Sequence, residues 1–180
     1  PQDGRFALNI EDKKYDFRVS TMPTLEAESI VLRILDNKNI NKNLQTLGIS
    51  SNLFEILTQA LKLTQGLILI SGPTGSGKTT TLYSILQELN CEEKKIITVE
   101  DPIEYKIDSI CQIPINNKIG LSFELVLRNI LRQDPDIIFI GEIRDKFSLD
   151  IALQASLTGH LVLASIHANN AVETILRLID

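Results

Sequence analysis

Long hydrophobic runs are missing from this chain. Apolar stretches such as residues 67–70 and 137–140 are far short of the roughly 20 residues needed to cross a bilayer, so no transmembrane helix is expected. No secretory leader is expected either, because no basic segment followed by an apolar one opens the given sequence. Cysteine is scarce: Cys91 and Cys111 form no C-x-x-C pair and no metal-binding spacing, which fits isolated thiols in a reducing compartment. A basic excess is also lacking. The 18 lysines and arginines are outnumbered by 23 acidic residues, for a net charge of −5. That argues against a protein whose main work is gripping nucleic-acid phosphates, although a local basic patch stays open. No internal repeat is visible. What is present is ordinary globular material, 43% hydrophobic and 23% charged over 180 residues, enough for one domain and a small appendage. The chain starts at Pro1 without methionine and stops at Asp180 inside an apolar-periodic pattern (Val172, Ile175, Leu176, Ile179), so it reads as a piece of a longer protein.

Three stretches can be separated by pattern. In residues 1–36, Phe6, Leu8 and Ile10 alternate with polar neighbours, as do Tyr15, Phe17 and Val19. A period of two predicts half-buried antiparallel strands, with residues 11–14 as the turn and residues 30–35 as a third strand. Residues 37–45 are polar and asparagine-rich and read as a linker. Residues 46–180 alternate helical patterns with short apolar runs. Helices are predicted around 53–61, 78–90, 123–131 and 147–158. Strands are predicted at 67–70, 96–99, 137–140 and 161–166. Residues 103–115 read as extended or hairpin structure. Continuously apolar strands separated by helices imply an α/β fold, with a mostly parallel sheet covered on both faces.

Gly72-Pro73-Thr74-Gly75-Ser76-Gly77-Lys78-Thr79 matches G-x-x-x-x-G-K-[ST] without a mismatch, between an apolar strand and a helix. Glycines let backbone N–H groups approach phosphate oxygens, and the helix that follows points its positive end at the same anion. Pro73, Thr74, Gly75, Ser76, Gly77, Lys78, Thr79 and Thr80 are therefore candidate phosphate-binding residues. Lys78 supplies a point charge near the β- and γ-phosphates, and the Thr79 hydroxyl a ligand for Mg²⁺. The guanine-reading N-K-x-D signal is missing, since Asn37-Lys38-Asn39-Ile40 and Asn117-Lys118-Ile119-Gly120 both lack the aspartate. ATP is the expected nucleotide.

Glu142 follows the apolar run 137–140, at the carboxyl end of a predicted buried strand, where ligands of open parallel sheets sit. That places it to polarise an attacking water. The aspartate that usually ends this strand and reaches the metal through water is replaced by Gly141. Glu100 and Asp101 end another predicted strand, and each is either a substitute acid or a cap or turn residue. His160 and His167 bracket the predicted strand 161–166, as structural residues or as sensors of the γ-phosphate.

Four blocks now stand in one order: GPTGSGKTTTLY at 72–83, VEDPIEY at 99–105, LRQDPDIIFIGEIRD at 131–145 and TGHLVLASIHANNA at 158–171. Together they resemble the Walker A, Asp box, Walker B and His box of the secretion ATPases of type II secretion and type IV pilus assembly. The beginning is similar as well, through Gln2-Asp3-Gly4-Arg5, the run RVSTMPT at 18–24 and VLRIL at 31–35. The resemblance implies a RecA-like core preceded by the tail of a PAS-like domain, in a cytoplasmic hexameric ring with nucleotide between the two domains. It implies that Arg5, Arg18 and Arg33 reach the phosphates and stabilise charge in the transition state, and that Glu100, His160 and His167 serve the site, Glu100 through Mg²⁺ directly or through water. It further implies an inner-membrane platform protein and a cytoplasmic adaptor as partners, with peripheral attachment to the inner face of the bacterial inner membrane. No direct nucleic-acid partner is expected. A nucleotide-binding assembly module with negligible turnover and a DNA-translocating ATPase remain the alternatives. The sequence departs from the family at Ala27, where a glycine usually stands; a positive φ there would strain alanine.

Overall fold

A computed structural model of the chain describes residues 2–11, 13–35 and 43–179. It separates into two units, residues 1–41 and 42–180. The first is an antiparallel sheet of β1 (Gln2–Ile10), β2 (Lys13–Pro23) and β3 (Glu28–Leu35), in that order. Directly paired residues share a face, so the register sorts this sheet into two sides. Phe6 pairs with Phe17 and Phe17 with Ile34, and the two rings stack with centroids 5.0 Å apart. On the other side Arg5 pairs with Arg18 and Arg18 with Arg33, so three arginines stand in one row across three strands. Between β2 and β3, Thr24 ties the turn: its N–H donates to the Ala27 carbonyl at 2.8 Å and its hydroxyl accepts from the Ala27 N–H at 3.2 Å. Ala27 is not among the residues with positive φ, so the strain foreseen for it does not arise.

The second unit opens with a 3-10 turn at Leu44–Thr46, which begins inside the stretch read as linker, and its Leu44 is buried. Residues 37–42 of that stretch lie outside the described residues. There follow α1 (Ser51–Ala60), β4 (Gly66–Ser71), α2 (Lys78–Leu89), β5 (Ile96–Glu100), β6 (Cys111–Pro114), α3 (Phe123–Ile130), β7 (Ile137–Ile143), α4 (Lys146–Leu157), β8 (Leu161–Ile166) and α5 (Ala171–Ile179). The five strands form one parallel sheet in the order β4-β8-β7-β5-β6. Residues 103–115 do not make a hairpin. Only residues 111–114 are extended, and they join the sheet edge parallel to β5, which the intervening loop makes possible.

Alternation along the strands divides the core. Ile97, Val99, Ile138, Ile140, Val162 and Ala164 pack with Val126, Leu127 and Ile130 of α3 and with Leu149, Ala152 and Ala155 of α4. Phe139 points the other way, where Tyr83 of α2 meets it edge-on at 6.1 Å. Buried aliphatic side chains of this kind each contribute about 1.5–3 kcal/mol. Together they fix the strands so that the loops at their carboxyl ends are held rigidly. Among the described residues, no helix is long and apolar enough to cross a membrane.

Candidate functional site

The loop between β4 and α2 turns sharply before the helix begins. Gly77, the residue before α2, has φ 92°, a left-handed conformation that glycine adopts without cost. A Cβ at Gly72 would collide with Ser76 Oγ, so the loop closes on itself only with glycine there. Lys78 folds back across this loop and donates to the carbonyls of Gly72 at 2.7 Å and Pro73 at 3.0 Å. An ammonium group held, among the described residues, by two neutral carbonyls can exchange them for phosphate oxygens, a charge-assisted and stronger partner.

Beside the loop opens a cleft of about 430 Å³, lined by Thr74, Gly75, Gly77, Lys78, Thr79 and Thr80 on one side. Its other wall comes from the strand ends, with Glu100, Asp101, Gly141, Glu142, Ser165 and His167. The sheet thus brings to one cleft the phosphate loop, all three candidate acids and His167. Pro73 and Ser76 shape the loop, through a hydrogen bond from the Ser76 N–H to the Pro73 carbonyl at 3.3 Å.

Glu142 lies in a cluster of charges. Its Oε2 accepts from Arg144 Nε at 2.7 Å and its Oε1 lies 3.1 Å from His167 Nε2. Arg144 also reaches Asp101 at 3.3 Å, so one guanidinium spans the ends of β7 and β5. The hydrogen bond to Glu142 holds Arg144 further above its already high ordinary pKa. His167 therefore sits against the candidate base, within the cleft.

Glu100 has a different setting. It is 3% exposed and, among the described residues, no ion pair reaches it. Thr98 Oγ1 donates to its Oε1 at 2.6 Å, Gln112 Nε2 to the same oxygen at 3.2 Å, and the Tyr83 hydroxyl to its Oε2. Burial first, and then the neighbouring Glu100 charge, push the Tyr83 phenol far above its usual range, so it stays a donor. Tyr105 is pushed up for the same two reasons. Gly141 explains how this acid fits. A Cβ at Gly141 would stand 3.1 Å from the Val99 carbonyl oxygen and 3.8 Å from Glu100 Cγ. The room that an aspartate would need on β7 is taken by β5 and its glutamate.

Mg²⁺ suits this donor set. It prefers oxygen ligands, keeps several waters and usually takes only one or two protein groups beside substrate phosphates. Among the described residues no group of three or more His, Cys, Asp or Glu forms a metal cage. The Thr79 hydroxyl and a buried carboxylate lacking a counter-charge are the groups such a site needs.

His160 is the correction. It precedes β8 at the amino end of the sheet, and its Nδ1 lies 3.1 Å from the Ala155 carbonyl oxygen. Six residues of strand, about 20 Å, separate that end from the cleft. Within this unit His160 closes the α4–β8 turn. Arg18 and Arg33 stay in their row on the first unit, exposed and without ion pairs among the described residues. Like charges directly opposite each other in a sheet repel. Sequence reasoning passed over Tyr83, Gln112 and Arg144. The one available signal was that Tyr83 follows Thr79 by four residues, one helical turn.

The profile of the family described as "Type II/IV secretion system protein" matches residues 1–180. The type II secretion system protein HxcR of Pseudomonas aeruginosa is 51% identical over all of this chain, which covers 38% of that protein. The type II secretion system ATPase E of Vibrio cholerae is 49% identical over all of this chain, which covers 36% of that protein. This chain therefore spans little more than a third of these relatives. Among solved structures, the pilus retraction motor PilT with bound ADP superposes with a TM-score of 0.79 at 35% identity, over 99% of this chain and 51% of that one. The Legionella pneumophila ATPase DotB gives 0.78 at 30% identity, over 99% and 50%. The larger unit has the RecA-like architecture of these secretion ATPases, and the chain belongs to the type II/IV secretion system protein family.

Proposed function

We propose that this chain carries the nucleotide site of an ATP-hydrolysing motor serving bacterial type II secretion or type IV pilus assembly. The observation that carries the reading is convergence. A phosphate loop, a lysine held by neutral carbonyls and two carboxylates on neighbouring strands line one cleft. The backbone N–H groups of residues 74–79 and the Lys78 ammonium bind and orient the phosphates of the substrate ATP. Glu142 takes the proton of the attacking water once a water replaces one of its present partners. Thr79 and Glu100 are the residues that would hold Mg²⁺, which supplies charge neutralisation at the phosphates when bound. Arg5, Arg18 and Arg33 are the residues we assign to charge stabilisation in the transition state. Gly141 favours a non-hydrolysing module only if no other acid replaces the lost aspartate, and Glu100 is there to replace it.

In this reading the working unit is a hexameric ring whose sites are completed by association. It sits in the cytoplasm at the inner face of the bacterial inner membrane, against a platform protein and its cytoplasmic adaptor, and couples hydrolysis to pilin or pseudopilin assembly. The test is Mg–ATP hydrolysis by the intact protein at rising concentration, with Lys78→Ala as the control. Turnover per subunit should climb with concentration, and the control should lose about 10²-fold or more, the scale of removing one transition-state donor. Background turnover at every concentration, with ATP still bound, would establish the assembly module instead.

A further inference from the structure

The cleft contains a buried polar network that the proposed chemistry leaves unused. Tyr83 is fully buried beneath the cleft floor, on the same helix as Lys78 and Thr79. Thr79 and Tyr83 are four residues apart, so both side chains rise from one face of α2, and both line the cleft. The Tyr83 hydroxyl donates to Glu100 Oε2 and accepts from the Glu104 N–H at 3.2 Å. It thus joins three pieces: the helix that begins at the phosphate loop, the end of β5, and the loop beyond β5. Gln112, on the neighbouring edge strand, holds the other oxygen of Glu100. Its own carbonyl oxygen accepts from the Ile107 N–H at 2.8 Å, and its amide also donates to the Tyr105 carbonyl at 3.0 Å. Both carboxylate oxygens are therefore fixed by neutral donors, each anchored to a different element.

We propose that Tyr83 is a positioning residue. Through its hydroxyl it sets Glu100 at a fixed distance from Thr79, so that the hydroxyl from α2 and the carboxylate from β5 act on one divalent cation, with Gln112 steadying the second oxygen. A neutral phenol is suited to this task. It orients the carboxylate without cancelling the negative charge that attracts the cation, whereas an arginine or lysine in its place would. The arrangement matches the general use of outer hydrogen-bond partners to aim metal ligands, whose removal costs about 10–100-fold in metal affinity or activity. This inference rests on the hydrolysis reading for its kinetic arm only.

The test uses the intact protein and Tyr83→Phe, which removes one oxygen and keeps the ring against Tyr105 and Phe139. Affinity for a non-hydrolysable ATP analogue is measured by calorimetry with and without Mg²⁺. Affinity without Mg²⁺ should stay within about twofold, while the gain produced by Mg²⁺ should shrink about tenfold or more. In steady-state kinetics, kcat should fall about 10–100-fold, with KM for ATP changing far less. Gln112→Leu should shift the Mg²⁺ gain in the same direction by less, and it carries the same test from an edge strand should Tyr83→Phe not fold. An unchanged Mg²⁺ gain overturns the proposal. So does an equal loss of affinity with and without the metal, since that reports general damage to α2. If the parent does not turn over but the Mg²⁺ gain is still lost in the variant, the positioning role stands and the hydrolysis reading fails.

Discussion

Two carboxylates stand at the carboxyl ends of adjacent parallel strands, in opposite surroundings. Glu142, on β7, is partly open to solvent and held by an arginine and a histidine. Glu100, on β5, is sealed from solvent and held by a phenol, a hydroxyl and an amide. The difference separates their chemistry. In the proposed reading, partners that can leave suit Glu142 to take up a proton from water, and neutral donors that are themselves anchored suit Glu100 to hold a cation. Strand register accounts for the separation. Val99 pairs with Ile140, so the next level of the sheet sets Glu100 beside Gly141, where a Cβ would stand 3.1 Å from the Val99 carbonyl oxygen. The acid is carried by β5, and the glutamate of β7 is displaced one residue further out.

The sharpest way to break this contrast is at Glu142. Glu142→Gln should lower kcat by about 10²–10⁴-fold, the usual contribution of a positioned general base. Binding of Mg–ATP should persist, because Lys78, Thr79 and Glu100 are untouched. Single-turnover hydrolysis beside equilibrium binding measures both. Full activity in this variant would take the base assignment away from Glu142 and leave the two acids without a division of labour.

A smaller effect is expected at the residue that keeps the acids apart. Gly141→Ala puts a Cβ 3.1 Å from a backbone oxygen of the neighbouring strand, and backbone gives way less readily than a flexible side chain. Overpacking of this kind costs about 1–3 kcal/mol, which urea unfolding would register. Stability equal to that of the parent would mean that the strands can spread, and that an aspartate at this position and Glu100 are not mutually exclusive.

The same two acids show what the sequence could and could not disclose. The turn at 72–79 was legible because its shape lies in local backbone geometry, and the place of Glu142 beside the cleft because it follows from its position at a strand end. The register of Arg5, Arg18 and Arg33 was not legible, although each residue was singled out. Alternation sets the face of a strand, but pairing sets which residues lie opposite. Residues 103–115 were read as extended or hairpin structure, since nothing local distinguishes a parallel edge strand from an antiparallel one. Tyr83 carries no local sign of its contact with Glu100. Its partner is 17 residues away, on a different element, and only the packing of α2 on the sheet brings them together. His160 shows the reverse error: two histidines flanking one strand suggest a shared site, but a strand has two ends.

The smallest expected effect sharpens the Glu142 side of the contrast alone. Asp145 caps α4, accepting from the Ser148 N–H at 2.8 Å, while the Ser148 hydroxyl reaches back within 3.3 Å of the Asp145 N–H to complete a capping box. The cap fixes the backbone from which Arg144 reaches Glu142 and Asp101. Asp145→Ala should cost about 1 kcal/mol and loosen that guanidinium, with no effect on the Glu100 network. The Ser148 hydrogen bonds hold the Asp145 carboxyl below its usual range. With the folded value lowered, the stabilisation is complete above the unfolded value of about 3.9 and is lost as pH falls through the folded one. Thermal unfolding of parent and Asp145→Ala should therefore differ by a constant amount from neutral pH down to about pH 5, and the two should converge on further acidification. A gap that stays constant into strong acid would mean that the aspartate acts through packing rather than through its charged cap. The hold on Arg144 would then have to come from Glu142 and Asp101 themselves.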